Sequence, residues 1–591
     1  MHKRGDFSFK QHDKSIFERQ RFGLDILNLF DLFCNHCFCL RFIFPGVIII
    51  KNNICSLGDV MKNKIENFNK FGAMIDCSRN AVMTIEQLKS FITVISRMGY
   101  NQVQLYMEDT YEVDDEPFFG YLRGKYSIKE LRELDDFAYN LGVELVPNIQ
   151  TLAHMATFIR WRSDLKDIDD ILLVDDEKVY ELIERMIKSL RECFRTKKMH
   201  IGMDEAHNLG RGRYLDSHGL QNRFDIILAH LNRVCDITAR YDFEPMMWSD
   251  MFYRIANGGS YYAVSSKFDN TIKEKIPENL TLVYWDYYNL EKKTYDRMIK
   301  GHKQLSDKII FAGGAWKWSG FAPHNYFSIK ATEVAIPSCI EHDVKDVFIT
   351  MWGDNGGECS LYAVLPTLCY AACIAQGITK TTDIKEKFFQ WVGVKFDDFI
   401  LLDSPNLIED TIEVVNPSKC FLYADCFMSI FQNIEKEEYC KKYSSIARKL
   451  KFASKRAGEY SYLFNTLSSL CDLLSIKVNI CTRTREAYES SNKADLDNVI
   501  ADYKKMIKLT KRFYKSFRAQ WFIENKPHGF DVQDIRLGGL ICRIQACLER
   551  LCDYRDGKTT SIPELEEPIV PITEDVINYN SWRKNVSTNN I

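Results

Sequence analysis

The sequence contains no run of about 20 nearly uninterrupted apolar residues, the length a membrane-spanning helix needs. Its most apolar stretch, residues 22–50, is broken by Asp25, Asp31, Arg41 and Pro45, and the longest clean run is 42–50. That pattern argues against a membrane span. No apolar leader opens the chain either: residues 1–20 are polar and charged, so no secretory signal is expected. Neither sign of charge is in excess. Lys plus Arg is 78 against 81 Asp plus Glu, a net charge of -3, which excludes a strongly basic nucleic-acid coat and an acidic disordered tail. Internal repeats and low-complexity tracts are absent. The Cys34-Asn35-His36-Cys37-Phe38-Cys39 cluster has a CxxC spacing, but no second pair follows nearby, so no structural zinc site is expected.

What is present is a long, aromatic-rich chain. Its 591 residues are too many for one ordinary domain, and aromatics make up 13%. Such a share suits stacking against flat ligand faces, although large cores use aromatics too. The 19 cysteines are scattered through apolar runs, which reads as reduced, buried thiols and a cytoplasmic protein.

Short apolar runs recur at 72–77, 102–107, 143–148, 199–203, 245–249, 281–285, 309–312 and 347–351. Continuous rather than alternating apolar runs are the mark of parallel strands buried on both faces. Helical stretches separate them. Thr84-Ile85-Glu86-Gln87 and Ser127-Ile128-Lys129-Glu130 have capping-box spacing, and the helices they open stop at Gly99 and Gly142. Eight such units predict an α/β fold, a (β/α)₈ TIM barrel. A doubly wound open sheet is the rival, but no GxGxxG follows the first run. Beyond about residue 395 the pattern becomes long helical stretches, such as 443–474 and 487–520. The chain thus divides into an N-terminal segment at 1–65 that matches neither pattern, a barrel at 66–394 and a mainly helical C-terminal domain at 395–591.

A barrel of this type carries function on the loops after its strands. The residues there are rich in carboxylates and indoles: Glu108, Asp109, Asp204, Glu205, Trp248, Asp250, Trp285, Asp286, Trp316, Trp318, Trp352 and Asp354. Sugars suit such a lip, because carboxylates and Arg bind hydroxyls and Trp stacks on the apolar face of a pyranose. The sharpest motif is His200-Ile201-Gly202-Met203-Asp204-Glu205, two adjacent acids closing the fourth strand. An ordinary retaining glycosidase instead holds two carboxyls about 5–5.5 Å apart. The adjacent pair fits a scheme in which the sugar's own 2-acetamido oxygen is the nucleophile. One carboxyl then protonates the leaving oxygen and its neighbour orients the acetamido group. A metal-dependent hydrolase built on His154, His200, His207, Asp204 and Glu205 is a weaker reading, because no HxH or HxxxH pair shares a strand or helix face. A non-catalytic sugar-binding barrel is a third, and loss of the acid pair would be its mark.

The fourth-strand motif resembles the signature of glycoside hydrolase family 20, the β-N-acetylhexosaminidases. Other segments are similar to the hexosaminidase D-like branch: Asp76-Cys77-Ser78-Arg79-Asn80, Leu105-Tyr106-Met107-Glu108-Asp109-Thr110-Tyr111, Trp248-Ser249-Asp250-Met251, Tyr284-Trp285-Asp286-Tyr287-Tyr288, Gly313-Gly314-Ala315-Trp316-Lys317-Trp318 and Trp352-Gly353-Asp354-Asn355-Gly356-Gly357-Glu358. The likeness continues to Gln520-Trp521 and Asp534-Ile535-Arg536-Leu537-Gly538-Gly539.

The resemblance implies an exo-acting enzyme that removes terminal β-linked GlcNAc or GalNAc with retention. Glu205 would be the general acid/base, and Asp204 would hold the acetamido N–H and offset the oxazolinium charge. Arg79 would bind hydroxyls of the non-reducing end. Trp248, Trp285 and Trp352 would wall the acetamido pocket, with Trp316 as a further wall, and Asp354 would bind the C4 or C6 hydroxyl. His154, with Asp109 or Glu108, would form a relay to Glu205. A tyrosine would hydrogen-bond the acetamido oxygen, with Tyr287 the candidate and Tyr284 or Tyr288 allowed by the motif. No cofactor and no metal are implied. The partner would be a GlcNAc- or GalNAc-terminated glycan, with no nucleic acid and no membrane expected, and the helical C-terminal domain could cap the barrel or pair two copies of the chain as a homodimer. One departure stands out: family members usually carry a small α/β domain before the barrel, and residues 1–56 look unlike it.

Overall fold

The computed structural model describes residues 65–570, apart from 263–267 and 269, together with 580–584. The Cys34–Cys39 cluster, the apolar stretch 22–50 and the N-terminal segment lie outside the described residues.

Eight parallel strands close into a barrel: β1 (Lys70–Asp76), β2 (Gln102–Tyr106), β3 (Glu144–Asn148), β4 (Lys198–His200), β5 (Glu244–Trp248), β6 (Thr281–Trp285), β7 (Ile309–Gly314) and β8 (Asp346–Met351). Each pairs with its neighbours in sequence, and β1 closes the ring on β8 with Ile75 opposite Met351. The apolar runs read from the sequence are these strands. A short hairpin between β3 and β4, Lys166–Ile168 with Ile171–Leu172, was not anticipated.

Helices α1 (Ile85–Met98), α2 (Ile128–Asn140), α3 (Glu177–Arg191), α4 (Arg223–Arg240), α5 (Asp250–Ala256), α6 (Lys292–Leu305), α7 (Asn325–Glu341) and α8 (Leu365–Ala375) intervene or follow. One of the two start signals closes as expected: Ser127 and Glu130 form a reciprocal capping box. At the other, Thr84 Oγ1 accepts from the N–H of Gln87, but the Thr84 N–H donates to the Glu524 carbonyl instead of to Gln87. Gly99 ends α1 with φ 103°, a left-handed value that glycine adopts without strain.

The barrel interior is partly polar. Gln104 of β2 reaches Met246 of β5 across the barrel at 3.9 Å, and Asn148 of β3 donates to Gln104 at 3.1 Å. His200, buried under the Trp248 ring at 4.4 Å, is pushed down to about 3 by burial and stays neutral.

The C-terminal region is helical: α9 (Pro417–Tyr423), α10 (Glu437–Ala453), α11 (Ser461–Lys477), α12 (Ile480–Ser490), α13 (Lys493–Glu524) and α14 (Phe530–Arg555). Two expected long helices are each broken. The stretch 443–474 is interrupted at 454–460, where Gly458 takes φ 53°, and 487–520 at Ser491, which takes φ 51° before Asn492 caps α13. The apolar period runs through both breaks, so periodicity alone does not reveal them. Among the described residues, no helix is long and apolar enough to cross a membrane.

The capping box gives a direct stability test. Ser127→Ala removes an acceptor for the Glu130 N–H, 3.1 Å away, and should lower stability by about 1 kcal/mol, read as a shift in the urea unfolding midpoint.

Candidate active site

The carboxyl ends of the strands surround a cleft lined by Arg79, His154, Asp204, Glu205, Trp248, Trp285, Tyr287, Tyr288, Trp318, Trp352 and Asp354. Strands β1, β3, β4, β5, β6, β7 and β8 each deliver at least one of these from the loop or last residue at that end.

Adjacent side chains on a strand point to opposite faces, so two consecutive acids on one cleft require a backbone turn. The turn is present. Gly202 (φ 73°), Met203 (φ 72°) and Glu205 (φ 51°) take left-handed conformations around Asp204. A Cβ at Gly202 would lie 2.1 Å from Gln150 Oε1, so only glycine fits. The turn is fixed from both sides. Met203 N–H donates to Gln150 Oε1 at 3.1 Å, and Glu205 N–H donates to Asp250 Oδ2 at 3.2 Å.

His154, itself at φ 57°, lies between the two acids. Its Nε2 is 3.2 Å from Asp204 Oδ2 and 3.8 Å from Glu205 Oε2. Burial opposes an imidazolium most strongly, but the Asp204 contact and the Glu108 charge together outweigh it and raise His154 to about 9. Reciprocally, burial opposes the Asp204 anion, yet the His154 charge and the Gln150 Nε2 hydrogen bond at 2.6 Å hold it below the usual carboxylate range. Asp204 is buried, whereas the Glu205 side chain is 41% exposed. On its other side Glu205 meets Arg254 of α5 at 3.4 Å, and Arg254 also pairs with buried Asp250 at 2.9 Å. Burial and the Asp204 charge push Asp250 up to about 7.

A second charged group faces this one. Arg79 donates to Glu108 at 2.8 Å and lies 3.4 Å from Asp354, while Tyr106 Oη donates to Glu108 at 3.0 Å. Burial raises the pKa of both Glu108 and Asp354, and Arg79 partly offsets it. The remaining wall is aromatic. Trp285 stacks on Tyr287 at 5.2 Å, Tyr287 meets Trp318 edge-on at 5.7 Å, and Trp248 lies 5.9 Å from Trp352. Burial pushes the Tyr287 hydroxyl far up, so it keeps its proton and can donate.

Two sequence expectations are corrected. Asp109 does not line the cleft: it is buried against Arg123 at 3.3 Å. Glu108, with φ 46°, turns inward instead to hold Arg79, and its charge is among those that raise His154. Trp316 also lies off the cleft. Its Nε1 donates to the Tyr287 carbonyl at 2.7 Å, and its ring backs Trp318 at 4.1 Å. The wall residue is Trp318, and nothing in the pair of indoles selects one over the other. Of the tyrosines, Tyr284 is committed to Asp286 at 2.8 Å, leaving Tyr287 and Tyr288 on the cleft. Arg254 was not picked out. Arg254 lies inside a helix, beyond the reach of a strand-end rule.

The His154–Asp204 pair makes stability depend on pH. A raised imidazole pKa contributes stability that is complete below its unfolded value near 6.5 and is lost as pH rises through about 9. The stability difference between wild type and His154→Gln should therefore shrink between about pH 6 and about pH 10, read from urea midpoints. A difference that stays constant over that range would contradict the pairing.

The sequence matches the glycosyl hydrolase family 20 catalytic domain over residues 68–308 and the glycoside hydrolase 20C C-terminal domain over 397–581. It is similar to hexosaminidase D of Bos taurus, 24% identical over 251 residues, and to hexosaminidase D of Homo sapiens, 23% identical over 286. These matches cover 40% and 45% of this chain and 66% and 53% of the relatives' own lengths. Among solved structures, a chitobiase of Flavobacterium johnsoniae is similar, with a TM-score of 0.45 and 13% identity over 88% of this chain and 78% of that one. The two matched domains follow one another along the chain, and the chain belongs to glycoside hydrolase family 20.

Proposed function

We propose that the protein is an exo-β-N-acetylhexosaminidase that hydrolyses terminal β-linked GlcNAc or GalNAc with retention, using the substrate's acetamido group as nucleophile. One observation carries this reading. Two consecutive carboxylates converge on an aromatic-walled cleft, one buried with the His154 imidazole 3.2 Å away and the other open to solvent.

The chemistry follows from that asymmetry. Asp204, which stays ionised, accepts the acetamido N–H and offsets positive charge as the carbonyl oxygen attacks the anomeric carbon. Glu205 gives its proton to the departing glycosidic oxygen as that bond breaks. It then takes a proton from the water that opens the oxazoline, which restores both enzyme and anomeric configuration. Tyr287 or Tyr288 donates to the acetamido oxygen, the indoles exclude water, and Arg79 with Asp354 binds the hydroxyls of the non-reducing end.

A metal-dependent hydrolase is the second reading, because ligand atoms of His154, Asp204 and Glu205 all lie within 4.8 Å of one another. The imidazole proton that ties His154 to Asp204 would have to leave before Nε2 could take a metal. Every cysteine among the described residues is a free thiol and most are buried, which supports a reducing, cytoplasmic setting.

Purified protein should turn over aryl β-N-acetylglycosides and leave a plain β-glucoside nearly untouched, with activity intact in EDTA. Glu205→Gln should lower kcat/KM by about 10²–10⁴-fold, most for poor leaving groups. Asp204→Asn should slow even activated aryl substrates. Loss of activity in EDTA would favour the metal reading, and absence of all turnover a binding barrel.

A further inference from the structure

Arg79 and Asp354 each lie three residues past the last residue of their strand, β1 and β8, beyond the ladder hydrogen bonds that fix strand ends. Yet they meet at 3.4 Å. The barrel supplies part of the hold, since Asp76 accepts from the N–H groups of Ser78 and Gly353 at 2.8 Å and Glu108 accepts from Arg79, and the helical region supplies the rest.

The turn between α13 and α14 braces the β1 loop. Thr84 N–H donates to the Glu524 carbonyl at 3.0 Å, and Lys526 N–H donates to the Val82 carbonyl at 2.7 Å. Gly529 packs so closely that a Cβ would lie 2.4 Å from the Asn80 carbonyl oxygen. The first turns of α14 brace the β8 loop. Arg536 Nη1 donates to the Asn355 carbonyl at 2.7 Å and to Glu358 at 3.1 Å, and a Cβ at Gly356 would lie 2.7 Å from that nitrogen. Lys419 of α9 completes the clamp. Its ammonium, fully buried, pairs with buried Glu358 at 2.6 Å and lies 3.8 Å from the Trp582 ring centroid. Arg583 donates to Asn355 Oδ1 at 3.0 Å. The two loops also touch, since a Cβ on Gly357 would sit 2.6 Å from the Ala81 Cβ.

We propose that the helical region is a positioning device for the Arg79–Asp354 pair. Arg536 acts through the Asn355 carbonyl and Glu358 to set Asp354, and so takes part in choosing between the C4 epimers GlcNAc and GalNAc. This rests on the hexosaminidase reading, in which Arg79 and Asp354 bind the hydroxyls of the non-reducing sugar. It accounts for the Asp534–Gly539 motif, which is remote in sequence from the barrel yet shares the family resemblance. Arg536 is a positioning residue, since it touches the loop and not the cleft.

Arg536 is the residue to vary, because its side chain is 26% exposed, whereas removing Glu358 would leave the buried Lys419 ammonium without its counter-charge. The experiment measures kcat and KM on aryl β-GlcNAc and aryl β-GalNAc, with Tm, for Arg536→Ala, Arg536→Lys, Asp354→Asn and Arg536→Ala/Asp354→Asn. Arg536→Ala should raise KM for the preferred sugar about tenfold, below the roughly hundredfold that a 1 Å misplacement can cost, and should narrow the ratio between the two sugars. Arg536→Lys should recover part of it. In the Asp354→Asn background Arg536→Ala should add nothing, the signature of action through Asp354. A fall in Tm with the sugar ratio unchanged would overturn the proposal, as would effects that multiply in the double variant. If Asp354→Asn shifts the ratio and Arg536→Ala does not, the positioning role fails while the hexosaminidase reading stands. If Asp354→Asn moves neither KM nor the ratio, the assumed sugar contact fails and the proposal with it.

Discussion

The constraint on which the site depends is electrostatic. Glu108, Asp204, Glu205, Asp250 and Asp354 gather at one end of the barrel, most of them withdrawn from water. Like charges that close in a low dielectric cannot all ionise unless cations separate them. Three cations do so, and each bridges two acids. Arg79 lies between Glu108 and Asp354, His154 between Asp204 and Glu205, and Arg254 between Glu205 and Asp250. The sharing is unequal, so the acids are driven apart: Asp204 falls below the usual carboxylate range while Asp250 rises to about 7.

This alternation of charge is achieved by backbone conformation rather than by side-chain reach. Glu108, His154, Met203 and Glu205 all take positive φ at the ends of β2, β3 and β4. For non-glycine residues each such conformation costs roughly 1–2 kcal/mol. At the end of β4 the N–H groups of Met203 and Glu205 are met by Gln150 and Asp250, two polar side chains that are themselves buried. Such outliers persist only where the surroundings over-determine them, and they cluster at functional sites.

The same fact explains what could and could not be read in advance. The eight strands were legible because burial on both faces leaves an uninterrupted apolar run, and the first helices because their caps are encoded in four consecutive residues. The adjacent acids at 204 and 205 were legible as a motif. The direction of each lip side chain was not. Glu108 and Asp109 are chemically alike, and a left-handed φ at Glu108 decides which one meets Arg79. Trp316 and Trp318 are identical, and the Tyr287 carbonyl, from another loop, captures the first. The broken helices escaped for a related reason: a short turn that preserves the apolar period leaves no mark in hydropathy.

The two halves of the site are therefore built by different means. Asp204 and Glu205 are set from within the barrel, by Gln150 from the loop after β3 and Asp250 from the loop after β5, the two strands flanking β4. Arg79 and Asp354 are carried on loops that Asp76 and Glu108 tie to the barrel and that the helical region braces from outside, with Arg536 more than 150 residues away in sequence. A barrel whose chemistry is held internally can keep that chemistry while the bracing helices change. In the proposed reading, the pair that meets the sugar's outer hydroxyls is the one the helical region braces, and the pair that serves substrate assistance is the one a single strand end holds.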